Sequence, residues 1–551
     1  MRQFPVKYLL LAFILYGCFT RVVQLDKRAF HHDESQHATF SLSWHENPTT
    51  NYYKFQPAYH GPVLYYLTSK VYAWFWVGVH QARLLPLVFG LFLIFGLFLW
   101  SGYLGHWPTW IAATLMSMSP IMGYFSTFIV HDFLCLSLIF VIVNFVFKFL
   151  NDDRSLHWTD FLFLGTAFGV LNAAKLIGLI YLILMLGYVV FYLMLSKREI
   201  KIHKPQNILL SLGAFFVSFL LFYVFFQSSA LKNLNAAWSG LLGENLVYWW
   251  NQHSVARIKG SIWYHLRNLV LYETLLSVFL FAVIGLYLKA FLTKAKMGLR
   301  FAVFVALGVL VCLALGMYSP AKYFSVFKLT SHEHILIYVL CAVSGLFIAG
   351  IEFRLSKVRS FLWYMFGSNL AVFSYIGEKV PWLSVYIVFF AVLLVSQYIP
   401  AIIKKALAQK QYGYFKIIAL VFLVLLQVRI FHKVSYETAG TGRDLLDQVH
   451  NSQYPRYFAS MLANSPTTEK KHNILAVGSE LSWGMFFYLK IAKNIQWSGA
   501  VSGFNGKQDF LFLDEAAKNK LTKKNPLENY HMKTYSMSRW WTPYYLSLIH
   551  I

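Results

Sequence analysis

Acidic residues are scarce in this sequence: 23 Asp and Glu in 551 residues, within a charged total of 13%. Soluble domains carry about a quarter charged residues, so a soluble enzyme is excluded and lipid becomes the expected solvent. Cysteine is sparser still, with four. Cys18, Cys135, Cys312 and Cys341 all lie inside long apolar runs, which excludes a disulfide scaffold. A glycine-rich phosphate loop is missing, and so is the internal symmetry that paired transporter halves show. Disorder is excluded from the other side, by a hydrophobic fraction of 58%.

Lysine and arginine, by contrast, are plentiful: 48 of them set a formal charge of +25. Nucleic acid would suit such a total, but so would a membrane protein that keeps its cationic loops at the cytoplasmic face. Placement decides. A helix crossing the hydrocarbon needs about 20 mostly apolar residues, and on that basis the chain predicts thirteen spans: 6–25, 82–104, 108–126, 128–149, 158–174, 176–195, 207–227, 269–291, 300–318, 334–351, 360–376, 381–400 and 414–432. The first follows Arg2 and Lys7 without a small-residue cleavage site and reads as an uncleaved anchor.

Alternate loops are basic. They hold Lys148 and Arg154; Lys197, Arg198, Lys201 and Lys204; Lys289, Lys294, Lys296 and Arg300; Arg354, Lys357 and Arg359; and Lys404, Lys405 and Lys410. This places the N-terminus in the cytoplasm, with residues 26–81, 228–268, 377–380 and 433–551 together on the external face. Nucleic acid drops out as a partner; membrane lipids replace it.

Two of those external loops, 26–81 and 228–268, are too long to be connectors. The first holds the densest polar cluster: His31, His32, Asp33, Glu34, Ser35, Gln36 and His37, then Tyr59, His60, Gly61 and Pro62. Asp33 and His37 are four apart, so a helix starting here puts them on one face. The stretch 63–79 is aromatic and apolar yet contains Lys70, as an interfacial helix would. Asp132 stands near the start of an otherwise apolar helix, where burying a charge costs about 2.5–3.5 kcal/mol. Two readings stay open for it, a group facing a cavity or a helix cap.

Lys175 sits at a tight turn, where a lysine snorkelling at a span end is the plainer reading. In 228–268, Arg257 and Lys259 stand beside Tyr248, Trp249, Trp250 and His253; phosphate binding and head-group contact fit them equally. Glu378 and Lys379 share a turn in which the acid neutralises the lysine or the lysine faces a phosphate. His32, His37 and Asp132 are suitable ligands for a divalent cation, although no fixed metal spacing is present.

Beyond residue 432 the composition turns polar. Residues 473–478 and 509–513 read as strands, 481–492 and 515–521 as helices. The expected architecture is thus an α-helical polytopic membrane domain, 1–432, with a small C-terminal α/β domain, 433–551, that binds acceptor or caps the external surface.

These segments resemble the flippase-associated, protein O-mannosyltransferase-like branch of the GT-C integral-membrane glycosyltransferases. The matching stretches are His31-His32-Asp33-Glu34 with His37, Tyr59-His60-Gly61-Pro62, Arg83-Leu84-Leu85-Pro86, Tyr124-Phe125-Ser126 with Asp132, Ala173-Ala174-Lys175, Gln252-His253, Tyr272-Glu273, and Gly377-Glu378-Lys379-Val380-Pro381-Trp382. The chain departs from the pattern at Thr127, Val130 and His131, where arginines precede the second acid, and at Leu176, where an acid follows the lysine.

The resemblance implies inverting transfer of a sugar from a polyprenyl-phosphate carrier to a glycan, lipid or protein acceptor at the outer face of the cell or inner membrane, with a flippase as a candidate partner. Asp33 maps to the base that takes the acceptor proton. Glu34 would position acceptor or metal, and Asp132 would be the second acid. Arg257, Lys259, Lys379 and Lys175 would hold the departing phosphate. Tyr59, His60, His253 and Glu378 are candidate substrate contacts. A competing reading keeps the same fold as a non-catalytic membrane partner or a transporter of lipid-linked glycans.

Overall fold

The computed structural model describes residues 4–23, 25–26, 28–150, 156–196, 208–241, 243–254, 264–294, 345–376, 379–408 and 413–438, then 444, 446, 449–451, 454–463, 472–477, 479–492, 495–499, 501–505, 507–522, 527, 530–533 and 538–540. The chain is an α-helical polytopic protein with a small C-terminal α/β unit. Among the described residues seven helices are long and apolar enough to cross a membrane: Val6–Val23, Val79–Leu104, Asp132–Leu150, Ile177–Leu195, Ile208–Gln227, Thr274–Thr293 and Phe415–Thr438. An eighth is the pair Pro381–Ser396 and Ile399–Ala406, bent by 46°.

The thirteen expected spans map onto this unevenly. The 108–126 run is broken into His106–Ser117 and Pro120–Phe125. Ser119 stops the first helix and caps the second, its hydroxyl accepting from the Met122 amide, and Pro120 occupies the first helical position, where its missing N–H costs nothing. Trp158–Ala174 is helical but only 17 residues long. Lys357–Tyr375 is helical too, and its polar residues keep it out of the spanning set. The 300–318 run and most of 334–351 lie outside the described residues.

Packing follows from residue size and burial. Trp158–Ala174 lies directly against Ile208–Gln227, because a Cβ on Gly165 would stand 2.2 Å from the Phe215 carbonyl oxygen and one on Gly169 would stand 2.5 Å from that of Phe219. The Ser384–Ser396 helix is buried along all 13 residues, so it is the axis around which the other helices gather.

In the C-terminal unit a three-stranded parallel sheet runs Ile495–Ser498, His472–Val477, Phe510–Leu513. Met485 and Leu489 of the Ser479–Ile491 helix cover Ile474 and Ala476, while Leu521 and Leu527 cover Leu475 on the other face. Both expected strands and both expected helices are present, shifted by one or two residues. The unit docks onto the first long loop: the Phe30 amide donates to the Tyr488 hydroxyl at 2.9 Å, and Lys490 meets Glu46 at 3.0 Å. Residues 26–46 and the C-terminal unit therefore share one face of the helical body.

Candidate functional site

Adjacent acids head the His32–Glu46 helix, and the structure separates their environments. His31 is the N-cap: its Nδ1 accepts from the Asp33 amide at 3.2 Å, and the Glu34 carboxylate accepts from the His31 amide at 3.0 Å. Glu34 is wholly buried and receives Arg83 as a two-pronged partner, Nε at 2.7 Å and a terminal nitrogen at 2.6 Å. The Ile129 amide donates to it at 3.2 Å, and Arg28 stands at 3.5 Å. Burial pushes the Glu34 carboxyl up, but the guanidinium charges of Arg83 and Arg28 and the hydrogen bonds outweigh it and hold the group down to about 2. The remaining Arg83 hydrogen bonds go to the carbonyls of Leu25, Arg28 and Ala29. One side chain thus ties the whole approach to the helix.

Asp33 points elsewhere. Its side chain keeps 30% of its surface exposed, 3.8 Å from His31 Nδ1. One turn later, His37 Nδ1 stands 3.0 Å from the Tyr65 hydroxyl, which donates its own proton to the Tyr59 carbonyl. The hydrogen-bond pattern therefore puts a proton on His37 Nδ1. His131 Nε2 lies 3.0 Å from the Gly61 carbonyl, which can only accept, so that nitrogen carries the proton. The His131 ring stands 5.0 Å from His37, 5.3 Å from His60 and 5.4 Å from Tyr65. Burial first, and the Lys175 charge next, push His37 down to about 3 and His60 well below the usual range. Both are neutral imidazoles at physiological pH.

The His60–Gly61 turn places the last member. His60 has φ +62°, a strained value for a residue with a side chain, and its carbonyl accepts from the Tyr53 hydroxyl. The Gly61 amide donates to the Ala174 carbonyl at 2.9 Å, and a Cβ on Gly61 would stand 1.7 Å from the Ala173 carbonyl oxygen, so only glycine fits. This anchors the end of the Trp158–Ala174 helix and sets Lys175, whose ammonium donates to both oxygens of Asp132 at 2.9 and 3.0 Å. Tyr386 completes the shell, donating to the same carboxylate at 2.9 Å.

Among the sequence-derived candidates, His37 and His60 thus converge beside Asp132 and Lys175, with Tyr59 in their hydrogen-bond network. Lys379 does not join them. It is buried and donates to the carbonyls of Phe373, Ser374 and Ile376, closing the end of the Lys357–Tyr375 helix; burial lowers its ammonium to about 8. Glu34 is committed to Arg83 and presents no face to a substrate. His32, His37 and Asp132 do not gather as metal ligands: among the described residues no three His, Cys, Asp or Glu side chains do, and Asp132 is held by Lys175 and Tyr386. Arg257, Lys259 and Glu378 lie outside the described residues, and His253 is placed only as part of the Glu244–Ser254 helix.

Sequence reasoning gave no role to Arg83, Arg28, Tyr65 or Tyr386. A signal existed for Arg83, a lone charge inside an apolar helix that demands a buried partner. None existed for Tyr386, one aromatic among many in a core helix.

No protein-family model matches the chain, and no curated protein matches it. Among solved structures it is similar to ArnT from Cupriavidus metallidurans bound to undecaprenyl phosphate, with a TM-score of 0.45 and 16% identity over 89% of this chain and 85% of that one. It is also similar to ArnT from the same organism in the apo state, with a TM-score of 0.44 and 16% identity over 93% of this chain and 90% of that one.

Proposed function

We propose that the chain is an inverting glycosyltransferase that moves a sugar from a polyprenyl-phosphate carrier to an acceptor hydroxyl at the outer face of the membrane. The observation that carries this reading is the divergence of two neighbouring acids. Glu34 is fixed by Arg83, Arg28 and two backbone amides, whereas Asp33 keeps 30% of its side chain exposed, 3.8 Å from His31 Nδ1. A carboxylate so oriented can accept the proton of an incoming hydroxyl.

In the proposed step the acceptor oxygen attacks the anomeric carbon, Asp33 takes its proton, and the bond from that carbon to the phosphate oxygen breaks with inversion. The lipid phosphate leaves with the bonding electrons. Cations must meet the developing negative charge; Lys175 is the described candidate, and Arg257 and Lys259 are assigned to the same task. Glu34 and Arg83 are positioning residues. Asp132 keeps Lys175 at the site, and His37, His60, Tyr59, His253 and Glu378 are assigned to contacts with the sugar or acceptor. A divalent cation finds no fitting set of ligands among the described residues, so no step is routed through one.

One observation favours the second reading, a non-catalytic partner or transporter of lipid-linked glycans: Lys379 is committed to backbone carbonyls and Lys175 to Asp132. The experiment that separates the two begins with the lipid-linked glycans that accumulate when the gene is deleted, which supply the donor. Purified wild-type protein should transfer the sugar, and Asp33→Asn should abolish transfer while leaving expression and membrane insertion intact. Full activity in Asp33→Asn removes the assignment; binding without transfer by the wild type favours the second reading.

A further inference from the structure

Away from the Asp33 face of the helix head, a small cavity lies between Thr20 and Arg21 at the end of the first helix, Arg28, the Gly123–Thr127 stretch and Ser435. Its volume is about 10 Å³, room for a single water-sized particle. Arg21 and Arg28, its two charged walls, are 2% and 7% exposed, and no carboxylate lines it.

The charge balance around this cavity is uneven. Of three buried guanidiniums, Arg83 and Arg28 share one carboxylate, Glu34, at 2.6 and 3.5 Å, and Arg21 has no ion pair among the described residues. Among the described residues the hydrogen bonds of Arg21 run to neutral groups, the carbonyls of Gly17, Ser117 and Met116 and the hydroxyl of Ser126, and the Glu273 carboxyl acts on it electrostatically. Arg28 donates to the Thr127 carbonyl and lies over the Tyr124 and Phe128 rings, and its Nε is buried with no hydrogen-bond partner. Glu273, whose charge acts on Arg21, accepts from the Ser119 hydroxyl and the Ile121 amide, so two carboxyls stand against three guanidiniums.

Buried cations without a counter-charge are costly, and a buried N–H without an acceptor adds to that cost. A water molecule would satisfy the N–H but leave the charge. We propose that the Arg21–Arg28 cavity binds one monatomic anion, chloride in the cell, which accepts from Arg28 Nε and offsets the excess of guanidinium over carboxylate charge. The cavity is too small for phosphate or a carboxylate ligand. The anion locks the end of the first helix to the 123–127 stretch and so holds the floor beneath the Glu34–Arg83 knot. This site is independent of the proposed transfer reaction.

The test uses the full-length protein in nanodiscs, unfolded by heat at equal ionic strength in sodium chloride, sodium bromide, sodium gluconate and sodium phosphate. A ligand that binds only the folded state raises the unfolding temperature. Chloride and bromide should raise it by several degrees over gluconate, and phosphate should not. Arg28→Gln should abolish the halide difference, whereas Lys490→Ala, at the distant docking contact, should retain it. Should Arg28→Gln fail to fold, bromide anomalous scattering from wild-type crystals decides, with a peak expected beside Arg28 Nε. Equal unfolding temperatures in chloride and gluconate, a larger rise with phosphate, or no bromide peak in the cavity would each overturn the proposal.

Discussion

Two buried carboxylates, Glu34 and Asp132, are both neutralised by basic side chains, yet their partners differ in kind. Glu34 meets a guanidinium whose planar fork matches it at two points and whose remaining bonds run to three carbonyls. Asp132 meets an ammonium, a compact charge on a flexible stem, together with one phenol. The first arrangement cannot move without dismantling the 25–34 segment. The second can exchange Asp132 for another anion by rotating a lysine. The contrast teaches that burial and charge pairing alone do not mark a working group; the number of backbone groups tied to the cation separates scaffold from machinery.

The comparison can be broken most forcefully at Arg83. Arg83→Ala strips the buried Glu34 of its two-pronged partner and leaves only Arg28 at 3.5 Å, and a loss approaching about 3–5 kcal/mol is expected, read as a collapse of the thermal transition and of folded yield in detergent. Arg83→Met with Glu34→Leu should recover much of that loss, since removing both charges is far less costly than removing one. Tyr386→Phe takes one hydrogen bond from Asp132 and leaves the ammonium in place. A change of about 1 kcal/mol is expected, with a larger effect on activity than on unfolding temperature if the Lys175 side chain is the mobile partner.

Acid sharpens the contrast further. His37 is held to about 3 against an ordinary 6.5, so the unfolded chain binds its proton first. Stability falls as the pH drops below 6.5 and continues to fall towards 3. Glu34, held to about 2 against 4.5, contributes stability in full above 4.5 and loses it as the pH falls towards 2. His37→Gln should make the fall between pH 6.5 and 4.5 shallower by one proton's share, with His60 still contributing to it, as followed by thermal unfolding in buffers of constant ionic strength. The smallest effect belongs to the docking contact. Lys490→Ala breaks an ion pair with the half-exposed Glu46, worth less than about 1 kcal/mol, and should leave transfer unchanged.

Much of the fold was legible because continuous apolar runs can hardly be anything but helix. Where the expected spans and the helix bounds part, the causes are local. In 108–126 hydropathy ran through Ser119-Pro120, where a cap and a proline split the run into two short helices. In 381–400 it passed the 46° bend after Ser396. In the C-terminal unit the strands at 472–477 and 510–513 announced themselves by apolar runs, whereas Ile495–Ser498 and the ribbon of Val449–Asn451 with Ser538–Trp540 are three or four residues long, too short to show a period.

At the site, adjacency was legible and consequence was not. The sequence marked Asp33 and Glu34 as a pair, but which of them faces inward depends on Arg83, 49 residues away. His131 was visible as the neighbour of Asp132, but its contact with Gly61 spans 70 residues. Lys379 looked like a phosphate ligand because its turn is charged, and its burial against helix-end carbonyls is a fact of three dimensions.

The docking of Tyr488 onto Phe30 carries a consequence for biosynthesis. The two residues are 458 positions apart, so the head of the Asp33 helix receives this support only after the ribosome has passed residue 488. A stalled or prematurely terminated product would insert its helices and present the acids, but without the clamp that seats them. Competence is thereby reserved for molecules whose synthesis has run past residue 488.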